Sequence, residues 1–432
     1  MGKICIVHYH LNPGGVTRII DSQIRCLKEQ DNKREIIVLT GHCDNPDLIN
    51  NLGAELIIDD LLNYLREDET NFQLRLQQIQ GLLLKHISKG DIIHFHNMNL
   101  GKNPLLTVAV SMMAAKGYFV VNHAHDFAED REANFKFLQR IIQHELGMVL
   151  REIMYPDLSN YIFATLNSAD KKRLLTYNVD ESRTFLLPNP VDISVKDTTL
   201  NKQEIKQTIC AQLRLNANKM LITYPVRVIR RKNIGEFILL AVLFSDSANW
   251  VVTQPPKNPV EIVPYKAWRN YCDENKIDLV FEAGIHVNFE DLIRSSDWCF
   301  TTSIQEGFGM VYMEPWLLGT PVGGRNLEYI TSDLSSSGMI FPLLYDEIKV
   351  ETESGTVDFA SLDINKQMNV ISELLKKSDK LQKTIRENPQ LKIIFEPLDT
   401  DIIKSNRSTI INEYSLKKYA KRLEGIYKEI TQ

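Results

Sequence analysis

The chain has 432 residues, with 50 lysines and arginines against 55 aspartates and glutamates, which gives a net charge of −5. A composition that is 44% hydrophobic and 24% charged is typical of a soluble globular protein of about two to three domains. The negative net charge argues against nucleic acid as a partner, because affinity for a phosphate backbone comes from lysine and arginine. Six scattered cysteines predict a cytoplasmic protein, and the lack of an apolar run of about 20 residues predicts that it has no transmembrane segment.

Short apolar runs alternate with longer amphipathic segments through the first half, which is the pattern of a parallel sheet flanked by helices. The first run, residues 4–7 (ICIV), predicts a buried strand, and residues 17–28 carry apolar side chains at helical spacing. Further strands are predicted over residues 35–39, 55–58, 91–94, 119–122 and 161–166. We therefore predict a doubly wound α/β first half.

A junction follows at residues 188–192 (PNPVD), because each proline restricts itself and the preceding residue to extended backbone. A second α/β series comes after it. Its predicted strands cover residues 220–225, 250–253, 279–282 and 298–301, its predicted helices cover residues 235–244 and 314–318, and an amphipathic segment over residues 416–430 ends the chain. The predicted boundaries are a first domain over residues 1–192, a linker over 193–206, a second domain over 207–410 and a C-terminal helix within 411–432.

Two segments that directly follow predicted strands carry candidate binding groups. Residues 306–314 (EGFGMVYME) combine glycines, which let a backbone approach a ligand, with Glu306 and Glu314, whose carboxylates suit sugar hydroxyls. Residues 227–233 (RVIRRKN) offer four cations to phosphate oxygens. The alternatives are a glutamate at a helix N-terminus with turn glycines for the first segment, and a solvated basic patch for the second.

Histidines form a third group, in residues 94–96 (HFH) and 123–126 (HAHD), both expected just after strands. Three interpretations stay open: a metal site, hydrogen bonds from neutral imidazoles to sugar hydroxyls, or histidines with local partners only. The charged loop over residues 126–131 (DFAEDR) follows, and its Arg131 would either meet an anionic acceptor or be solvated.

The spacing of five between Arg227 and Lys232 and the E-x7-E string from Glu306 to Glu314 resemble the donor-site motifs of retaining GT-B glycosyltransferases of family 4. The resemblance covers most of the chain and includes residues 10–15 (HLNPGG), 167–170 (NSAD) and 188–192, where Pro190 replaces the usual glycine. It implies two Rossmann-like, doubly wound parallel-sheet domains that face each other across a cleft, the first on the acceptor side and the second holding the nucleotide sugar. It also implies that the C-terminal helix crosses back to the first domain.

The resemblance assigns roles residue by residue. Arg227 and Lys232 would hold the donor diphosphate, Glu314 the ribose hydroxyls and Glu306 the donor-sugar hydroxyls. The implied catalytic residues are Glu306, Arg227, Lys232 and His125. The implied donor-binding residues are Gly14, Gly15, Arg227, Lys232, Glu306, Phe308, Gly309, Met310, Glu314 and His286. The implied acceptor or sugar contacts are His123, His125, Asp126 and Arg131.

The implied activity is the transfer, with retention, of a hexose from a nucleoside-diphosphate sugar to a hydroxyl of a small polar acceptor, with no metal and no cofactor. Rival interpretations are a GT-B epimerase or phosphorylase-type enzyme, and a non-catalytic nucleotide- or sugar-binding protein on the same scaffold. A D-x-D string at residues 399–401 matches a metal-binding motif of other transferases. It lies in a polar stretch beyond the second domain's core, and we interpret it as coincidence.

Overall fold

The computed structural model describes residues 2–193 and 201–432. It divides into two compact units, Met1–Pro190 together with Tyr414–Gln432, and Val191–Glu413. Of the predicted linker over 193–206, residues 194–200 lie outside the described residues, and a helix begins at Lys202. Among the described residues, no helix combines the length and the apolar composition that crossing a membrane requires.

The first unit is built on a seven-stranded parallel sheet. Its strands are β1 (Ile4–His8), β2 (Ile36–Thr40), β3 (Glu55–Ile58), β4 (Ile92–His96), β5 (Phe119–Ala124), β6 (Tyr161–Thr165) and β7 (Thr184–Leu186), in the order β3-β2-β1-β4-β5-β6-β7. Its helices up to the junction are α1 (Gly15–Gln30), α2 (Asp47–Asn50), α3 (Phe72–His86), α4 (Pro104–Ala115), α5 (Glu132–Gln139), α6 (Leu150–Met154) and α7 (Ser168–Thr176). The central strands are buried along their whole length, which explains their nearly continuous apolar sequences.

The second unit carries a five-stranded parallel sheet in the order β12-β11-β10-β8-β9 and a two-stranded hairpin. Its strands are β8 (Met220–Arg227), β9 (Ala248–Gln254), β10 (Trp298–Thr301), β11 (Val322–Arg325), β12 (Leu344–Tyr345), β13 (Lys349–Thr352) and β14 (Gly355–Asp358). Its helices are α8 (Lys202–Leu213), α9 (Ile234–Leu243), α10 (Pro259–Glu274), α11 (Ala283–His286), α12 (Phe289–Ser295), α13 (Glu314–Leu317), α14 (Glu328–Ser336), α15 (Ile364–Lys376), α16 (Ser378–Glu387) and α17 (Thr400–Tyr414). Two parallel α/β sheets confirm the predicted fold class.

The predicted strand over residues 279–282 is wrong. Val280 alone pairs with β9, accepting a hydrogen bond from Val252 N at 2.8 Å and donating one to Trp250 O at 3.0 Å. Two residues later Glu282 adopts a left-handed backbone, with φ of 60°, and the chain turns into α11. The apolar pattern therefore marked a single bridge and not a strand.

The last helix, α18 (Leu416–Thr431), belongs to the first unit. Tyr419, Leu423, Ile426 and Tyr427 are buried in the same apolar cluster as the inward side chains of β1 and α1. An ion pair between Arg34 and Glu424 fixes the edge of this contact. The helix thus covers one face of the seven-stranded sheet beside α1.

Candidate functional site

Two loops of the second unit meet at one edge of its sheet. One loop leaves β8 at Arg227 and turns through Arg230–Lys232 into α9, and the other leaves β10 at Thr301 and reaches Glu306. Because β8 and β10 are parallel neighbours, their carboxyl ends lie at the same edge. The cationic segment and Glu306 are therefore brought together.

An ion pair between Lys232 Nζ and Glu306 Oε1 is the centre of this site, and the two side chains are only 11% and 7% exposed. Ser303 Oγ donates to the same carboxylate oxygen at 2.8 Å, and Arg231 lies 3.3 Å from the other oxygen. Burial lowers the pKa of Lys232, and the negative charge of Glu306 opposes that change. A buried ammonium without a partner is costly, so Glu306 is what permits Lys232 to remain charged there.

The backbones of both members of the pair are held by neighbouring side chains. Tyr224 Oη and Thr302 Oγ1 donate to Lys232 O at 2.5 and 3.0 Å. Tyr329 Oη accepts from Glu306 N at 2.8 Å and donates to Glu306 O at 2.9 Å. Ser303, Thr302, Tyr224 and Tyr329 carried no recognisable motif, and only the folded structure shows that they support the site.

The two glycines after Glu306 differ in what the fold requires of them. Gly309 has φ of 81°, and a Cβ there would lie 2.8 Å from Ile330 Cγ2, so both backbone and space demand glycine. Gly307 has no neighbouring atom within 4 Å of the position a Cβ would take. The space beside Gly307 is therefore open.

The helix expected after these glycines is shorter than predicted. Met310–Tyr312 form a single turn, buried Phe308 precedes it, and α13 has only four residues. Glu314 is exposed at the first position of α13. The backbone N–H groups after Gly309 therefore belong to a turn, and the helix that follows this turn has a single turn of its own.

Two other predicted donor residues are exposed. The exposed Arg227 donates from Nε to Gln254 Oε1 at 3.4 Å, at the end of β9. His286 is exposed at the last position of α11. In the first unit, Gly14 and Gly15 are exposed where α1 begins, and neither would place a Cβ within 3.4 Å of another residue.

Three of the four candidate histidines lie within strands, whereas the sequence predicts that all four follow strands. His94 and His96 belong to β4 and His123 to β5, while His125 follows β5 directly. Residues two apart in a strand face the same side of a sheet, so the four rings gather on one face. That is the face covered by α1 and α18.

A continuous set of short contacts joins this cluster to both helices. Four contacts lie along the chain of side chains from His125 to His94: His125 Nε2 to His96 Nδ1 at 3.0 Å, His96 Nε2 to Gln23 Oε1 at 2.6 Å, Gln23 Nε2 to Tyr427 Oη at 2.7 Å, and Tyr427 Oη to His94 Nδ1 at 2.9 Å. His94 Nε2 then lies 3.2 Å from His123 Nδ1. Gln23 and Tyr427 are 404 residues apart, so no pattern in the sequence indicated that their side chains meet.

Burial keeps these imidazoles neutral. Desolvation lowers the pKa of His94 to about 3 and that of His125 to about 4, where the charge of Asp126 acts in the opposite direction. It also lowers to about 3 the pKa of His8, which ends β1 with its Nδ1 2.9 Å from His96 O. The pKa values of His96 and His123 are also well below the usual value, with burial again the largest cause. A neutral imidazole has one donor and one acceptor nitrogen, as a hydrogen-bonded chain requires.

Nitrogens of His94, His96 and His123 lie within 4.8 Å of one another, which is a grouping that a metal ion can use. Both ring nitrogens of His94 and both of His96 already contact protein partners at hydrogen-bonding distance. Neutral hydrogen-bonded rings therefore account for the grouping. The absence of a metal stays a prediction.

His125 lies at the edge of the buried cluster, and the loop after it is partly exposed. His125 is 8% exposed, whereas His123 is fully buried, so His125 is the ring of the two that a ligand would meet. Asn97 and Asp126 exchange two hydrogen bonds of 2.9 and 3.1 Å, and Arg131 pairs with Asp126 at 2.8 Å. Asp126 and Arg131 are thus paired with each other and still partly solvated.

Comparison with solved structures defines the class of fold. HepE from Anabaena, crystallised with UDP-glucose, aligns with a TM-score of 0.62 at 13% identity over 99% of each chain. Sucrose-phosphate synthase from Thermosynechococcus elongatus aligns with a TM-score of 0.62 at 15% identity over 100% of this chain and 99% of that one. WaaG, a glycosyltransferase of lipopolysaccharide biosynthesis, aligns with a TM-score of 0.53 at 16% identity over 95% and 99%. The chain therefore has a GT-B glycosyltransferase fold.

A relative detected by sequence is mannosylglucosyl-3-phosphoglycerate synthase from Petrotoga mobilis, which is 28% identical over 329 residues. The match covers 73% of this chain and 63% of that protein, so this chain spans less than two thirds of the relative. No protein-family model matches the chain.

Proposed function

We propose that the protein is a retaining glycosyltransferase that moves a hexose from a nucleoside-diphosphate sugar to a hydroxyl of a small polar acceptor. The observation that carries the proposal is the buried Lys232–Glu306 pair at the carboxyl edge of the second sheet, with Arg231 of the β8 loop beside it. The GT-B fold and the glycosyltransferase relatives support it.

In this proposal the cations of the β8 loop bind the donor diphosphate. Lys232 supplies a preformed charge, and Arg227 offers a guanidinium fork that a phosphate can engage in two hydrogen bonds. Both groups stabilise the negative charge that develops on the departing nucleoside diphosphate, which is the role a metal ion fills in other enzymes. Neither a metal nor a cofactor is then needed.

The carboxylates and the turn hold the sugar and the ribose. Glu306 accepts from hydroxyls of the donor hexose in the open space beside Gly307, and backbone N–H groups of residues 308–310 face the sugar and phosphate. Glu314, exposed at the start of α13, accepts from the ribose hydroxyls. His286 marks the segment whose backbone contacts the base.

The reaction keeps the anomeric configuration. The bond from the anomeric carbon to the diphosphate oxygen breaks, and the acceptor oxygen bonds to the same face of that carbon. A donor phosphate oxygen takes the acceptor's proton, so no protein nucleophile is required. His125, as a neutral imidazole, contacts a sugar hydroxyl, while Gly14 and Gly15 leave room for the donor beside α1.

The acceptor is small, polar and, in this proposal, anionic. Asp126 would accept from an acceptor hydroxyl, and Arg131 would pair with an acceptor anion in exchange for part of its contact with Asp126. The name of the Petrotoga relative includes a phosphoglycerate, which supports an acceptor of this chemistry.

Turnover with analysis of the product anomer tests the proposal. The protein would be incubated with UDP-, GDP- and ADP-hexoses and with small acceptors that differ only in carrying a phosphate, a carboxylate or neither. We expect an acceptor-dependent product with the donor's anomeric configuration, loss of turnover in Lys232→Met, and full turnover in Lys404→Met, whose lysine is exposed on α17.

Each rival interpretation predicts a different result in the same assay. An inverted product would contradict the mechanism. Nucleotide release or sugar epimerisation that needs no acceptor would favour an epimerase, and a requirement for inorganic phosphate would favour a phosphorylase. Nucleotide binding without any turnover across the panel would favour a non-catalytic binding protein.

A further inference from the structure

The contacts that run from His125 to the C-terminal helix form one hydrogen-bonded chain with a fixed direction. Its members, in order, are His125, His96, Gln23, Tyr427, His94 and His123. A neutral imidazole donates from one nitrogen and accepts at the other, so the direction of one hydrogen bond dictates the direction of the next. The side-chain amide of Gln23 lies in the middle, and its orientation fixes which atom donates at each contact on both sides.

The half that leads to the surface begins at the Gln23 carbonyl oxygen. His96 Nε2 donates to this oxygen at 2.6 Å, so the proton of His96 is on Nε2 and its Nδ1 is an acceptor. His125 Nε2, 3.0 Å from that acceptor, must therefore be the donor. His125 is left with an unprotonated Nδ1, which the chain does not use.

The half that leads to the interior begins at the Gln23 amide nitrogen, which donates to Tyr427 Oη at 2.7 Å. The hydroxyl of Tyr427 then donates to His94 Nδ1 at 2.9 Å, and His94 Nε2 donates to His123 Nδ1. The proton of His123 is consequently on Nε2. His123 Nε2 makes no hydrogen bond in the described part of the chain, and the backbone of Leu187, which acts to raise the pKa of His123 against burial, is the group that favours its proton.

One other arrangement satisfies every contact, and it reverses all the donors together. It rotates the Gln23 amide by half a turn, puts the proton of His125 on Nδ1 and leaves His123 Nε2 as a bare acceptor. Every intermediate arrangement sets two donors or two acceptors against each other at one contact, or leaves the proton of the buried Tyr427 hydroxyl unpaired, at a cost of about 1–3 kcal/mol. The tautomer of His125 is therefore tied to groups on α1 and α18.

We propose that Gln23 and Tyr427 are positioning residues that hold His125 as a single tautomer, with its proton on Nε2 and a lone pair on Nδ1 that accepts a hydrogen bond from a sugar or acceptor hydroxyl. The sugar contact rests on the proposed function, whereas the tautomer does not. The C-terminal helix thereby acts on the candidate site through Tyr427, besides covering the sheet.

The same helix supplies a matched control. Tyr419 is also fully buried on α18, and its hydroxyl has no hydrogen-bond partner in the described part of the chain. Tyr419→Phe and Tyr427→Phe each remove one buried hydroxyl from the same helix of the same unit. Only the second substitution breaks the chain to His125.

Nitrogen NMR of the ligand-free protein labelled with ¹⁵N-histidine tests the proposal directly, with a His125→Gln sample used only to assign the resonance. In the wild type we expect His125 as the Nε2–H tautomer alone. A resonance of the Nδ1–H form, or an average of both forms, would overturn the proposal without any further variant. In Tyr427→Phe we expect the average of both forms, and in Tyr419→Phe the wild-type resonance; an unchanged His125 in Tyr427→Phe would also overturn it.

Kinetics separate this proposal from the proposed function. If transfer is found, we expect kcat/KM for the donor to fall in Tyr427→Phe by the factor by which the Nε2–H population falls, about twofold for an even mixture, and to remain unchanged in Tyr419→Phe. Transfer that persists at the wild-type rate in Tyr427→Phe would overturn the positioning role alone. A single Nε2–H tautomer in a protein without any transfer would overturn the proposed function alone.

Discussion

Lowering the pH from 7.5 to 5.5 should destabilise the first unit far more than the second. Burial holds the pKa of His8 and His94 at about 3 and that of His125 at about 4, whereas an unfolded chain has histidine pKa values of about 6.5. Between about pH 4 and 6.5 the unfolded chain therefore binds protons at these histidines, and the folded unit does not. Its stability is complete above pH 6.5 and is lost as the pH falls below that value.

The size of the effect follows from the same pKa values. At pH 5.5, one unit below the pKa of an unfolded histidine, each histidine that burial keeps neutral lowers the free energy of unfolding by about 1.4 kcal/mol relative to pH 7.5. His8, His94 and His125 together cost about 4 kcal/mol, and His96 and His123, whose pKa values are also strongly lowered, bring the total to about 7 kcal/mol. A loss of this size is a large part of the stability of a typical domain, which is about 5–15 kcal/mol.

Urea unfolding followed by two signals measures this loss. The protein's four tryptophans, Trp250, Trp268, Trp298 and Trp316, all lie in the second unit, and so does only one histidine, His286. Tryptophan fluorescence therefore reports the second unit as an internal control, while far-UV circular dichroism reports both. We expect an early circular-dichroism transition, silent in fluorescence, to separate at pH 5.5. If the two signals instead give the same transition and a loss of stability below about 1 kcal/mol, the histidines of the cluster are not held neutral by burial.

Three further outcomes are expected. Gly309→Ala should destabilise the second unit by about 1–3 kcal/mol, because its left-handed backbone and the nearby Ile330 exclude a Cβ, whereas Gly307→Ala should leave the urea midpoint unchanged. Arg325→Met should lower the free energy of unfolding by about 3–5 kcal/mol, measured by fluorescence, since it removes the cation that balances the fully buried carboxylate of Glu236; a loss below about 1 kcal/mol would contradict this reasoning. Lys232→Met should abolish any rise in melting temperature caused by nucleoside diphosphates, and a preserved rise would remove Lys232 from the donor site.

The fold was largely predictable because its strands are short apolar runs separated by amphipathic segments. β10 begins and ends where the sequence predicts, at Trp298 and Thr301, since both flanks are polar. The predicted strand over 279–282 failed because periodicity reports burial and not pairing, and Val280 alone pairs. The short strands β11 and β12 were missed, since Val322–Arg325 contains two glycines and β12 has two residues.

The candidate site was predictable only where it carries a motif. Lys232 and Glu306 stand at recognisable spacings after strands, and the structure brings them into contact. Tyr329, which holds the backbone of Glu306, carries no motif, and Tyr427 reaches His94 across 333 residues of sequence. Such contacts depend on how helices lie against sheets, which local patterns do not encode.

The most direct test of the donor site is a thermal-shift titration of the second unit's tryptophan fluorescence with UDP, GDP and ADP, each with and without a chelator. A ligand at about 100 times its Kd stabilises the protein that binds it by about 2.7 kcal/mol, which a melting curve resolves easily. We predict that one of the three nucleotides raises the melting temperature, that the chelator makes no difference, and that Lys232→Met abolishes the rise. A protein that responds to none of them, or that responds only with a metal, would contradict the assignment of Arg227, Lys232 and Glu314 to a metal-independent nucleotide-sugar site.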